Sequence, residues 1–315
     1  MEFKKILLID IGESKLDTAT WREIDSLAEQ RVNLPKDSPD IKTHLADTDC
    51  LLVNFGIKID KGNVDSAPNL KYIGILATAY GKVDIDHAKS KGIPVCNLAG
   101  YSTESVAEFV IAAILEHIRE LEAGKIRGRE GNYSESGISA IELKGKVFGI
   151  LGLGSIGSRA AELALGFDAD VRYWSRNRKK DFEKRGIKYQ DADTLIPECD
   201  FLSVNLAQTK DTENFLNRNR IQSIKKEAVV VNTAPMELVD IKTLEMRLAD
   251  GDMTFILDHS DEMAPEDVKR LSEHKNCIVY PPIAYVSKEA RIRKQKLFVE
   301  NIQNFLKGSP TNKVN

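Results

Sequence analysis

The chain of 315 residues carries 42% apolar side chains, 45 Lys and Arg against 48 Asp and Glu, and a formal net charge of −3. That length and composition allow two compact domains with a core each and exclude extended disorder. The near-balance of charge leaves no electrostatic footprint for nucleic acid, the basic cluster Arg176, Arg178, Lys179 and Lys180 being the one local exception.

The amino terminus MEFKKILLID places two lysines before an apolar run too brief for a signal segment or a membrane span, so it reads as a first strand. Further strand-length runs follow at Cys50–Asn54, Tyr72–Leu76, Val147–Leu151, Asp170–Trp174, Phe201–Asn205, Ala228–Asn232 and Phe255–Asp258. Most are separated by segments of helical spacing, which predicts βαβ units and an α/β fold with parallel sheets. Ser102-Thr103 precedes a helical stretch, Ser105–Glu120, that reads as a bridge between domains, and the Gly-rich segment Gly124–Gly137 after it reads as a loop. Asp240 opens another helix that stops near Asp250-Gly251. Cys50, Cys96, Cys199 and Cys277 form no C-x-x-C pair, which predicts free thiols, no metal site and a cytoplasmic setting.

In KVFGILGLGSIGSRAAELAL an apolar strand runs through G-x-G-x-x-G directly into a helix. Gly152 permits the tight turn, Gly154 lets backbone approach a pyrophosphate, and Gly157 packs helix against strand, while Ser155 and Ile156 open the helix whose N–H groups face an anion. The expected ligand is NAD(P). At the end of the next strand, where an acidic residue would accept from the ribose 2′-hydroxyl, stands Ser175, followed by Arg176. A carboxylate repels a 2′-phosphate whereas these two donate to it, which favours NADP over NAD. The plain alternative is that Arg176–Lys180 is a solvated turn.

The blocks LKYIGILATAYGKVD, KGIPVCNLAGYSTESVAEF, ELKGKVFGILGLGSIG, VVVNTAPMELVDIKTLEMRLADG and EARIRKQKLFVENIQNFLKGSPTNKVN resemble, in order and spacing, the D-2-hydroxyacid dehydrogenases, in particular their glycerate dehydrogenase and hydroxypyruvate reductase branch. The resemblance implies two Rossmann-like, doubly wound parallel-sheet domains: a flavodoxin-like substrate domain from residues 1–100 and 287–315, and an NAD(P)-binding domain from 101–286. It also implies a homodimer, and no nucleic-acid or membrane partner is expected. Carried over by position, Thr233 and Ala234 lie on the nicotinamide side, Asp258 holds the carboxamide, and Leu206 and Ala207 stand in the family's Leu-His-x-Pro loop. Ala77, Thr78, Ala79 and Tyr80 fall on the substrate loop, where T-G-Y-N is usual.

The family's chemistry rests on an arginine that grips the substrate carboxylate, a histidine that moves the proton and a glutamate that orients the histidine. These positions fall on Pro235, Pro282 and Met263, with Glu262 at the last one if the loop slips by one residue. Proline brings neither charge nor N–H. Tyr80, Lys82, Tyr101, His259 and Tyr285 are the substitute acids, though a tyrosine is usually a packing residue and a lone histidine usually structural. Two readings follow: an NAD(P)-dependent oxidoreductase with a reassigned site, acting on a less acidic carbonyl or an imine, or a catalytically inactive NAD(P)-binding pseudoenzyme with a structural, sensing or regulatory role and no substrate.

Overall fold

The computed structural model describes residues 2–315, the side chain of Glu262 excepted. Among the described residues twelve strands occur in chain order: β1 Phe3–Ile9, β2 Ala28–Leu34, β3 Cys50–Val53, β4 Tyr72–Ile75, β5 Val95–Cys96, β6 Val147–Leu151, β7 Asp170–Trp174, β8 Lys188–Tyr189, β9 Phe201–Val204, β10 Val229–Asn232, β11 Thr254–Leu257 and β12 Cys277–Val279. They form two sheets, ordered β2-β1-β3-β4-β5 and β12-β11-β10-β9-β6-β7-β8, in which every pairing is parallel. The chain divides into two compact units, Met1–Ser102 with Ser287–Asn315, and Thr103–Val286.

In the first unit the two-residue period of β1 feeds two cores. Ile6 and Leu8 join Leu52, Trp21 and Phe298 on one face of the sheet, while Leu7 and Ile9 join Leu51, Leu45 and Val64 on the other. Register is held by pairs such as Leu7 with Leu51. The same alternation runs through the second unit, where Phe148, Ile150, Val171 and Tyr173 pack with Val110, Ile114 and Ala160, and Leu151, Leu202 and Val204 pack with Leu195, Ile221 and Leu244. Helices therefore cover both faces, as parallel sheets require. The strand order reverses direction between β1 and β3 in one sheet and between β6 and β9 in the other. Such switch points open a crevice at the carboxyl ends of the strands.

The helix Thr103–Ile118 opens the second unit, with Val110, Ile111 and Ile114 buried beneath it. One expectation is corrected. The segment after this helix is not a loop throughout: Glu120, at φ +49, breaks the first helix, and a second runs over Leu121–Arg129. Its glycines, Gly124 and Gly128, read as turn signals, but each sits in helical backbone with open space around it. Among the described residues, no helix is long and apolar enough to cross a membrane, and no group of three or more His, Cys, Asp or Glu is placed to hold a metal. All four cysteines are free thiols and buried.

Candidate nucleotide and active site

The phosphate turn leaves the end of β6, the strand on one side of the second sheet's switch point. Gly152 has φ +95, a value that L side chains rarely adopt, and a Cβ there would lie 2.8 Å from the Asn205 carbonyl oxygen. A Cβ at Gly157 would lie 2.1 Å from the carbonyl oxygen of Gly152. Gly154 differs from both: its φ of −83 is ordinary, and an added Cβ would meet no atom within 4 Å. Neither backbone angle nor clearance demands glycine at 154; it is a favoured N-cap residue and leaves the turn open to a ligand. Gly154 is the N-cap of the helix Ser155–Gly166 and caps it with no side chain, so the first-turn N–H groups of Ser155, Ile156 and Gly157 are left for an anion. The residues present thus fit a dinucleotide pyrophosphate.

On one flank, β7 ends at Trp174. Ser175 is buried, and its hydroxyl donates to the Asn177 carbonyl at 2.7 Å. Of the cluster that follows, Arg178 is committed to Glu183 at 2.6 Å and stacks over Tyr189. Arg176 reaches in the other direction, to Asp211 at 3.1 Å. Asp211 belongs to the loop after β9, which passes through the buried Leu206 and the exposed Ala207. That loop is closed by Thr212, whose hydroxyl donates to the Ala207 carbonyl at 2.7 Å and accepts from the Thr209 N–H at 2.8 Å.

The β10 end carries Thr233 and Ala234. Thr233 N–H donates to the Val204 carbonyl at 3.3 Å, tying this turn to the end of β9. The fully buried Asn232 braces the turn from within: its Nδ2 donates to the Ala234 carbonyl at 2.9 Å, and its Oδ1 accepts from the Ala234 N–H at 3.2 Å. Pro235 follows as the N-cap of a single 3-10 turn, Met236–Leu238, whose Met236 packs into the core. No cation stands at this position.

At the end of β11, Asp258 is 2% exposed, and its Oδ1 accepts from the N–H groups of Ile283 at 2.8 Å and Ala284 at 3.0 Å. Burial pushes its carboxyl above the ordinary value, with the two N–H groups pulling the other way. The segment Pro281–Tyr285 is therefore held by a carboxylate on its N–H side. On its carbonyl side the buried Ser105 hydroxyl donates to Ala284 at 2.8 Å, and Ser260 donates to the preceding Tyr280 carbonyl at 2.9 Å. Pro282 is half-buried in that braced loop. Met263 ends the 3-10 turn Ser260–Glu262 and packs against apolar neighbours; the alternative at this position, the Glu262 side chain, lies outside the described residues. His259 is half-buried and follows Asp258 directly in the chain. Tyr285 is 40% exposed, and burial, with the charges of Asp261 and Asp258, pushes its phenol above the usual value. This unit therefore gathers the residues expected to hold the cofactor, with His259 and Tyr285, in the segments that follow the carboxyl ends of its strands.

The remaining expected residues belong to the first unit. The loop after β4 holds Ala77, Thr78, Ala79 and Tyr80, with the Ala77 carbonyl accepting from Leu98 N–H at 2.8 Å and Thr78 Oγ1 donating to the Leu98 carbonyl at 3.2 Å. Asn97 Nδ2 donates to the Thr78 carbonyl. Tyr80 is 40% exposed and Lys82 is exposed, whereas Tyr101 is buried in the core beneath the Lys294 ammonium, 5.4 Å from its ring centroid. A cavity at the ends of β1 and β3, bordered by Ile9, Lys36, Gly56 and Lys58, contains none of the expected site residues. Asn232, Asp211 and Thr212 were not expected at the site from sequence; their roles are hydrogen bonds and an ion pair across turns, which no local spacing marks.

Residues 111–284 match the NAD binding domain of the D-isomer specific 2-hydroxyacid dehydrogenases. The chain is 29% identical to the hydroxypyruvate reductase of Blautia hydrogenotrophica over 99% of each chain. It is 32% identical to the glyoxylate reductase of Thermofilum pendens, covering 90% of this chain and 86% of that one. Among solved structures it is similar to D-lactate dehydrogenase from Aquifex aeolicus complexed with NAD and lactic acid, at 26% identity, TM-score 0.85 and 96% coverage of both chains. An acyclic imino acid reductase in complex with NADPH and D-Arg is similar at 26% identity and TM-score 0.86, covering 99% of this chain and 100% of that one. The chain belongs to the D-isomer specific 2-hydroxyacid dehydrogenase family. Its relatives are reductases and dehydrogenases, and it takes its place among oxidoreductases whose cofactor is a nicotinamide dinucleotide.

Proposed function

We propose that this chain is a cytoplasmic, homodimeric reductase that prefers NADPH and acts on an imine or a weakly acidic carbonyl rather than on an ordinary 2-keto acid. The observation that carries the reading is the contrast at the strand ends of the second unit. The phosphate turn keeps an open space at Gly154 in which a pyrophosphate would fit, while Pro235 and Pro282 occupy the arginine and histidine positions in tightly braced turns. When bound, the nicotinamide supplies a hydride. The chain's own residues hold and orient it: the N–H groups of Ser155–Gly157 face the pyrophosphate, Arg176 faces the adenosine ribose in place of Ser175, whose hydroxyl hydrogen goes to the Asn177 carbonyl, and Asp258 keeps Oδ2 for the carboxamide while Oδ1 holds the loop. An imine that enters as its iminium brings the proton that a ketone would have to take from a histidine, so the absent general acid costs it less. Tyr285, its phenol held above the ordinary value, stays protonated near neutral pH and is a donor at Oη rather than a base. The NADPH complex of the similar imino acid reductase supports both the cofactor and the substrate class. Exposed Leu121, Ile126, Tyr133 and Ile141, on the helix Leu121–Arg129 and the segment after it, are apolar side chains that a dimer would cover.

The test is NADPH oxidation by the purified protein with glyoxylate, with hydroxypyruvate, and with neutral aldehydes with and without an added amine. The expected outcome is negligible turnover of the two keto acids and turnover when amine is present. Keto-acid turnover near the ordinary enzyme median of about 10 s⁻¹ would overturn the reading. Tight NADPH binding with no consumption under any condition would replace it with the non-catalytic alternative, in which the nucleotide sets stability or partner affinity.

A further inference from the structure

The sheet order β9-β6-β7 sets β6, with its phosphate turn, between the strand that ends before Arg176 and the strand that ends before Asp211. The Arg176–Asp211 ion pair, 3.1 Å from Nη2 to Oδ2, therefore joins the loops on both flanks of the phosphate turn. Arg176 is the guanidinium of this cluster left to face a ribose phosphate, since Arg178 is held by Glu183 and the Ser175 hydroxyl hydrogen is spent on Asn177. Asp211 does not hang on a loose strand of loop: its neighbour Thr212 is 7% exposed and pins the turn from Ala207 to Thr212 through its hydroxyl.

We propose that Asp211 is a specificity-determining residue at the adenosine end of the nucleotide site, an internal anion that holds Arg176 until a 2′-phosphate displaces it. The proposal rests on the reading of Arg176 as the partner of that phosphate. A 2′-phosphate carries about −1.5 to −2 charge and three strong acceptor oxygens, so it outbids one carboxylate for a forked guanidinium. It must first displace Asp211, and afterwards it lies near that like charge. The neutral 2′-hydroxyl of NADH meets neither obstacle. Asp211 thus lowers the NADPH preference that Arg176 creates, and it does so by charge rather than by shape.

The experiment is fluorescence titration of the full-length protein with NADPH and with NADH, for wild type, Asp211→Asn and Arg176→Ala, at low and high salt, with nucleotide-free melting curves to confirm folding. Asp211→Asn is expected to tighten NADPH binding about three- to tenfold at low ionic strength and leave NADH unchanged, the gain shrinking as salt screens these exposed charges. Arg176→Ala is expected to weaken NADPH alone. If Arg176→Ala weakens NADPH while Asp211→Asn leaves the NADPH to NADH ratio of dissociation constants unchanged, or loosens both nucleotides equally, the role given to Asp211 is wrong and that of Arg176 stands. If Arg176→Ala leaves NADPH affinity unchanged, the phosphate reading of Arg176 fails and takes this inference with it.

Discussion

Gly157 and Gly152 are glycine because the protein's own backbone occupies the space where a side chain would begin, and Gly154 is glycine although no atom of the protein does. Two of the three positions are fixed by the protein's own packing and the third is not, which makes them separable by experiment. Gly154→Ala is expected to leave the nucleotide-free melting temperature within about 2 °C of wild type while lowering affinity for NADPH and NADH alike, because the methyl group enters the space of the pyrophosphate. Gly157→Ala is expected to lose stability and binding together, because its Cβ cannot coexist with the Gly152 carbonyl in this turn. Calorimetry and nucleotide titration on both variants check this. Unchanged affinity in Gly154→Ala would mean that the open space is not a ligand's.

At the scale of single elements, the helix Leu121–Arg129 is the clearest departure from local sequence signals. Gly124 and Gly128 are poor helix residues by about 1 kcal/mol each relative to alanine, so composition alone favours a loop. Their backbone is helical without positive φ, and an added Cβ at either would meet no atom within 4 Å. Gly124→Ala and Gly128→Ala are each expected to stabilise the protein by about 0.5–1 kcal/mol, read as a higher urea midpoint with unchanged slope. A midpoint that stays put or falls would show that this segment is not a helix in solution. The strands that escape a sequence reading, β5, β8 and β12, are two or three residues long, and β2 is a largely polar edge strand, AEQRVNL. An edge strand has one neighbour and meets solvent, so it lacks the doubly buried apolar run that announces β1 or β9.

For the molecule as a whole, the buried cysteines fall two to a unit, Cys50 and Cys96 in the first and Cys199 and Cys277 in the second. Burial pushes the thiols of Cys199 and Cys277 up to about 12 and those of Cys50 and Cys96 above the ordinary thiol range. At pH 8 all four are expected to be neutral and shielded, so that a thiol reagent labels them only as each unit opens. Each unit has cores of its own, so saturating NADPH is expected to slow the labelling of Cys199 and Cys277 while leaving Cys50 and Cys96 at their nucleotide-free rate. Mass spectrometry of labelled peptides at several urea concentrations separates the pairs. Equal protection of all four by NADPH would show that the two units open as one.

The sequence by itself determined the alternation of strand and helix, the parallel sheets and the phosphate turn, because each rests on a local physical demand: a two-residue period with both faces buried, or a backbone angle and clearance that only glycine meets. It also showed which side chains Pro235, Met263 and Pro282 bring, since a proline's lack of charge and N–H needs no coordinates. Only the tertiary structure decided how these positions are held: Asn232 bracing the turn before Pro235, Asp258 gripping the loop after Pro282 from the end of β11, and Asp211 drawn to Arg176 across β6. Parallel crossovers carry residues far apart in the chain to neighbouring strand ends. The partner of a charge or an N–H group at those ends is chosen by the order of strands in the sheet, which no local pattern of side chains records.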